Sequence, residues 1–266
     1  MQTKNIQYNN STISYRLAGM GQPVLLIHGF AEDSRIWDAA INALSETYQL
    51  IVPDIPGSGG SEILNGEDIS ISDYADVMLA ILSEENIKQC SIIGHSMGGY
   101  ISLAFAAKYP EKINALGLFH SSAYADDEAK KDSRRQAINV IKEKGAMTFL
   151  KTAIPGLFAD AEKSSTAVHL LLERGTAFTQ AALIQYYNAM INRPDTTGVL
   201  KTINKPVLFI MGEHDKAVPF EHGLQQSYLP SLSDINILRN SAHMGMLEEE
   251  EKSFSILAHF LASIYV

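Results

Sequence analysis

The chain is short of cysteine, of positive charge and of long apolar runs, and each shortage closes off a class of protein. A single cysteine, Cys90, in 266 residues excludes an intramolecular disulfide framework and any cysteine-based zinc cluster. It falls in an apolar run and reads as a small buried core side chain. Lys and Arg number 21 against 30 Asp and Glu, a net charge of −9. That balance argues against nucleic acid or an anionic membrane as a partner, since neither is attracted. No apolar run approaches the length of a bilayer span. The first ten residues are polar where a signal peptide carries an apolar core, so a cytoplasmic location is expected. Nothing has metal-ligand spacing. The Gly57-Ser58-Gly59-Gly60 loop lacks the Lys-Ser/Thr of a phosphate-binding loop and the full dinucleotide fingerprint, so it reads as structural, with Asp54 tying it. No cofactor or metal is expected. There is no linker-like or low-complexity segment and no internal repeat.

What is present suits an ordinary globular protein: 46% hydrophobic and 19% charged residues can build a sizeable core. The length fits one large α/β domain with an insertion, or two small domains. The organising stretch is Gly94-His95-Ser96-Met97-Gly98-Gly99. An apolar, β-branched run precedes it (Cys90 to Ile93) and an apolar helical run follows (Tyr100 to Tyr109). Strand, very tight turn and helix form the context of a nucleophile elbow. Such a turn strains the backbone of Ser96. It requires small residues two before and two after, where a Cβ would collide with its neighbours; Gly94 and Gly98 meet that demand. Ser96 then stands at the carboxyl end of a sheet and at a helix start, whose free N–H groups favour negative charge.

Two alternating segments, Lys4 to Tyr8 and Thr12 to Leu17, open the chain as strands around a hairpin turn at Asn9-Asn10. Val24 to Ile27, Leu50 to Val52, Cys90 to Ile93 and Ile113 to Phe119 are apolar runs of the kind expected for buried strands. Helical segments from Ser34 or Arg35 and over Asp68 to Leu82 separate them. That alternation predicts a mostly parallel sheet with helices on both faces. The rhythm breaks at His120. From Asp126 to about Asn192 the chain reads as helices only, with Arg134 to Lys144, Ser164 to Arg174 and Phe178 to Ile191 as candidates. It then resumes with strands Val207 to Met211 and Ile235 to Leu238, a helix Phe220 to Ser227, and a last helix from about Leu247 to Ile264. The expected division is an α/β core over 1–120 and 200–266, with an all-helical cap over 121–199. Phe149, Phe158, Phe178, Tyr186 and Tyr187 are candidates to face a pocket, although residues at helical spacing are more often the cap's own packing.

A nucleophilic serine needs a base, and the base an orienting acid. In an open parallel sheet such residues sit in loops just past the strands' carboxyl ends. Gly212-Glu213-His214-Asp215 follows Val207 to Met211, and Ser241-Ala242-His243 follows Ile235 to Leu238. Glu213, and more distantly Asp126 and Asp127, rival Asp215 as the acid. Among other histidines, His28 and His95 are read as ordering their loops. His214 is expected to point away from its neighbour Asp215, and His120 is left open. The acidic run Glu248 to Glu251 suits the positive end of the last helix, and Glu248 can also brace the His243 loop.

With His28-Gly29-Phe30, Asp54-x-x-Gly57-x-Gly59-x-Ser61, Gly94-x-Ser96-x-Gly98, Gly212-x-x-Asp215-x-x-Val218-Pro219 and His243-x-x-x-x-Glu248 in this order, the sequence resembles the α/β-hydrolase fold family. The likeness covers nearly all of the chain outside the helical block. More narrowly, Arg193-Pro194-Asp195 through Ile210 is similar to small esterases and enol-lactone hydrolases. The resemblance implies an eight-stranded α/β-hydrolase sheet and a catalytic triad of Ser96 as nucleophile, His243 as base and Asp215 as its orienter. It implies oxyanion-hole N–H groups at Phe30 and Met97, and a small-molecule substrate with an ester-like carbonyl. C–C bond hydrolysis and cofactor-free perhydrolysis share this triad. Serine rather than aspartate at 96 argues against the haloalkane dehalogenases and epoxide hydrolases. A small-molecule receptor on the same fold is the alternative outside enzymes.

Overall fold

The structure, a computed structural model, describes residues 1–265. Eight strands form one sheet: β1 (Gln2–Tyr8), β2 (Ser11–Ala18), β3 (Gln22–Ile27), β4 (Tyr48–Pro53), β5 (Cys90–His95), β6 (Ile113–Phe119), β7 (Val207–Gly212) and β8 (Ser233–Leu238). Their spatial order is β1-β2-β4-β3-β5-β6-β7-β8, antiparallel at β1/β2 and β2/β4 and parallel from β4 onward. The apolar runs of β3, β5 and β6 occupy the middle and are buried over most of their length, as strands covered on both faces must be. The edge strands β1 and β8 keep much of their length exposed. Asn9 and Asn10 both take positive φ, 46° and 63°, the backbone of a type I′ hairpin.

Eleven α-helices accompany the sheet among the described residues: α1 (Asp38–Leu44), α2 (Ile71–Glu84), α3 (Met97–Lys108), α4 (Glu128–Lys144), α5 (Ala146–Ala153), α6 (Ser165–Gly175), α7 (Gln180–Ile191), α8 (Thr197–Thr202), α9 (Phe220–Ser227), α10 (Gly245–Glu248) and α11 (Glu250–Ile264). On the sheet α2 packs beside α3, and α1 beside α11. Between β6 and β7, α4 packs on α5 and α7. This is the mostly parallel α/β-hydrolase architecture with a helical block between β6 and β7.

The differences from expectation are local and have local causes. Helix α4 begins at Glu128 rather than Arg134 because the Asp127 side chain accepts the Lys130 N–H and caps it. Helix α5, only eight residues, was too short to stand out by periodicity. The last helix is interrupted at Glu249 (φ −130°, ψ 58°). There Glu248 accepts the Ala242 N–H at 2.8 Å and Glu249 accepts the Asn240 N–H at 2.9 Å. Glu248 thus braces the loop carrying His243 as expected, and Glu249, read only as serving the helix end, does so too. Cys90 is fully buried.

The sheet fixes where ligands can sit. Strand β3 leads to β4 on one side and β5 lies on its other side. The crevice beyond the carboxyl ends of β3 and β5 is therefore the point where the winding reverses, the general site for ligands in such sheets.

Candidate active site

Ser96 follows β5 with φ 51° and ψ −115° and is the N-cap of α3. Such a backbone costs on the order of 1–3 kcal/mol for a non-glycine residue, and packing holds it in place. A Cβ on Gly94 would run into the backbone of Gly98 and Gly99, and one on Gly98 into the carbonyls of Ile27 and His28. Both glycines are needed for close approach of strand and helix.

The geometry joins three residues from three loops. The Ser96 Oγ lies 2.8 Å from His243 Nε2, and His243 Nδ1 lies 2.8 Å from Asp215 Oδ2. The second Asp215 oxygen, Oδ1, accepts the N–H groups of Ala217 at 2.8 Å and Val218 at 3.0 Å. The spacing Asp215-x-x-Val218 is thus a side-chain-capped turn, which holds the carboxylate in place. Burial works against its charge. The adjacent His243, then the neighbouring His120, outweigh burial and hold the carboxyl well below its usual range. Ionised, it accepts the Nδ1–H of His243, which leaves Nε2 free to accept the serine proton. Glu213 and His214 are exposed. Asp127 caps α4, and Asp126 is engaged by Arg134 at 2.5 Å.

Two backbone N–H groups beside the serine, those of Phe30 and Met97, donate to no acceptor among the described residues. Met97 begins α3, where the N–H groups are unsatisfied within the helix. Phe30 follows β3 in a loop tied down on both sides. His28 Nδ1 contacts the Gly29 carbonyl at 2.8 Å and its Nε2 accepts the Ile55 N–H at 2.9 Å. Asp54 accepts the N–H groups of Ser34 and Gly60, each at 2.8 Å, which ties the glycine loop as expected.

Two buried histidines frame the site, with opposite charge preferences. His95 Nδ1 lies 3.0 Å from Glu32 Oε2, and its Nε2 lies 3.0 Å from the His243 carbonyl. Both neighbours only accept, so both ring nitrogens must donate, as in the imidazolium. Burial opposes that charge, but Glu32 overrides it and raises the His95 pKa. Burial likewise opposes the Glu32 charge and is outweighed by His95. Glu32 also accepts the Gly29 N–H at 2.7 Å, so one ion pair fastens the loop before Phe30 to the backbone of His243. His120, left open by the sequence, is buried 3.5 Å from Asp215. Burial, despite Asp215, pushes it down to about 4, so it is neutral. Glu32 has no motif in the sequence; the role of a buried carboxylate five residues past a strand is visible only once β3 and β5 are neighbours.

Ser96 and His243 open into a cavity of about 280 Å³ lined also by Phe30, Tyr100, Arg134, Phe149 and Tyr187. That is near the small end of ligand sites. A depression of about 380 Å³ at Gly57, Arg174 and Phe178 is larger but does not contain Ser96. Of the five aromatic candidates, Phe149 and Tyr187 line it. Tyr186 is buried against Phe30 and Tyr74, Phe158 is core, and Phe178 lies at the other depression. Helical spacing could not separate an inward from a packed face.

This geometry defines a class. Residues 22–250 match the model of the alpha/beta hydrolase fold family, and the chain belongs to that family and is a hydrolase. A thermophilic esterase from Thermogutta terrifontis is similar in structure, with a TM-score of 0.93, 24% identity and 100% of both chains covered. The enol-lactonase from Burkholderia xenovorans is similar at a TM-score of 0.90 and 19% identity, over 97% of this chain and 100% of that one. A pimeloyl-[acyl-carrier protein] methyl ester esterase from Aeromonas hydrophila is 25% identical over 94% of this chain and 99% of its own length. Among the described residues no helix is long and apolar enough to cross a membrane.

Proposed function

We propose that this hydrolase cleaves a small ester, thioester or lactone through Ser96, His243 and Asp215 by way of an acyl-enzyme. The observation that carries the reading is the pair of 2.8 Å contacts running from Ser96 Oγ through His243 to Asp215. His243 Nε2 takes the serine proton as Oγ attacks the substrate carbonyl. Asp215 holds the tautomer and stabilises the imidazolium. The unclaimed N–H groups of Phe30 and Met97 receive the tetrahedral oxyanion. Preorganised donors of this sort contribute roughly 3–4 kcal/mol each to the transition state. The leaving alcohol or thiol takes its proton from His243, and water then attacks the acyl-enzyme by the reverse route. In a lactone the leaving oxygen stays attached to the acyl chain.

Residues 121–199 act in this reading as the cap that sets substrate size, with Phe149 and Tyr187 as walls. The esterase and enol-lactonase relatives support an ester-like carbonyl as the substrate. Turnover of p-nitrophenyl esters of graded chain length tests it. Ser96→Ala is expected to lower kcat by about 10⁴-fold or more with an unchanged thermal transition. Unchanged turnover in that variant would end the reading.

A further inference from the structure

The cavity carries a positive charge that the reaction itself does not use. Lys130 and Arg134, one turn apart on α4, both line the space that holds Ser96 and His243. The one carboxylate in that lining, Glu32, is already committed to His95 and the Gly29 N–H. Behind Arg134, Asp126 accepts from its Nε at 2.5 Å and lies 3.2 Å from Arg193 Nη1. All three of these side chains are nearly buried, at 11%, 4% and 6% exposure for Arg134, Asp126 and Arg193. Arg193 stacks 3.9 Å over the ring of Tyr100, which itself lines the cavity.

Two guanidinium groups therefore share one carboxylate. Lys130 adds a third cation, whose ammonium donates to the Ala217 carbonyl at 2.8 Å and has no carboxylate partner among the described residues. Asp127 is exposed and occupied as the cap of α4. Lys130, Arg134 and Arg193 against Asp126 and the ionised Asp215 leave one positive charge around the cavity, in a chain whose net charge is −9. Surplus buried charge is costly unless a partner neutralises it. The Nη1 of Arg134 has only the Met190 sulfur, 3.2 Å away, as a neighbour. Sulfur is a weak acceptor, so that edge of the guanidinium keeps donors to give.

We propose that Lys130 and Arg134 recognise a carboxylate on the substrate, so that the preferred substrates are half-esters or carboxylated lactones rather than neutral esters. This rests on Ser96 being the nucleophile of the same cavity. Lys130 and Arg134 are specificity residues here: they hold the remote anionic end while the scissile carbonyl meets Ser96.

The test compares kcat/KM for monomethyl and dimethyl esters of straight-chain dicarboxylic acids, succinate to pimelate. At the best chain length the half-ester is expected to lead by ten-fold or more, with the lead shrinking as salt is added. The ratio of half-ester to diester should fall at least five-fold in Lys130→Met and in Arg134→Gln, a change that general loosening of the fold would not produce. Arg134→Gln leaves Asp126 short of a partner; should it fail to fold, Lys130→Met, which strands no carboxylate, carries the comparison. Equal or faster turnover of the diesters at every length, in protein whose Ser96 reacts with a fluorophosphonate, overturns the proposal and leaves the hydrolase reading standing. Where neither ester series is turned over, glutarate or adipate is expected to slow labelling of Ser96; no protection overturns it. A folded protein whose Ser96 does not label removes the reading beneath it as well.

Discussion

The floor and the roof of the cavity are built on different principles. The floor is the carboxyl edge of the sheet, where Ser96, His243 and Asp215 sit in short loops and nearly every polar atom has a named partner. The roof is α4, α5 and α7, whose residues reach the cavity from regular helices. On the floor, backbone geometry dictates side-chain identity: a positive-φ serine, glycines that admit no Cβ, an aspartate capping its own turn. On the roof, a helix position accepts many side chains. In the proposed function the floor carries the chemistry and the roof selects what reaches it.

The largest effect that would sharpen this contrast is on the floor. Asp215→Asn preserves shape but offers His243 the wrong tautomeric partner, and kcat on an activated ester is expected to fall about 10³- to 10⁴-fold. Steady-state kinetics at fixed pH check it; a loss below ten-fold would break the relay. Next comes the elbow's packing. Gly98→Ala puts a methyl group against the Ile27 and His28 carbonyls. Overpacking of this kind costs about 1–3 kcal/mol, read as a lower midpoint in urea. A roof change should be smaller and of another kind. Phe149→Ala enlarges the cavity, and the ratio of kcat/KM for long over short acyl chains is expected to rise about ten-fold. A general drop on all chain lengths would mean that Phe149 serves the floor instead.

The smallest expected effect concerns the Glu32–His95 pair. Glu32 has a lowered pKa, so its contribution is present above the ordinary value of 4.5 and is lost as pH falls through the folded value. His95 has a raised one, so its contribution is full below the ordinary value of 6.5 and is lost as pH rises through the folded value. The stability advantage of the native protein over Glu32→Gln should therefore peak between about pH 4.5 and 6.5. Urea midpoints of both proteins across pH 4 to 9 check it. An advantage that keeps growing above pH 7 would contradict a charged His95.

The same contrast explains what the sequence made legible. The alternation of strands and helices along the chain, the elbow and the residues now within 2.8 Å of His243 were readable because apolar runs mark buried strands and tight turns and strand ends restrict residue type at fixed spacing. Glu32 and His95 were not readable as a pair, since their contact joins loops after β3 and β5 that only sheet order brings together. Lys130 and Arg134 stand among Glu128, Lys131, Asp132 and Arg135, whose ion pairs are solvated surface chemistry; nothing in the spacing marks which charges turn inward. Phe149 and Tyr187 were separable from Phe158 and Tyr186 only by the cavity itself.

The central claim, that His243 turns the Ser96 hydroxyl into a nucleophile, meets its most direct test in covalent labelling by a fluorophosphonate followed by intact-mass and peptide analysis. One phosphonyl group per chain, on Ser96, is expected, with labelling abolished in Ser96→Ala and slowed at least a hundred-fold in His243→Ala. Native protein that stays unlabelled while folded, or that labels equally fast without the imidazole, would contradict the account.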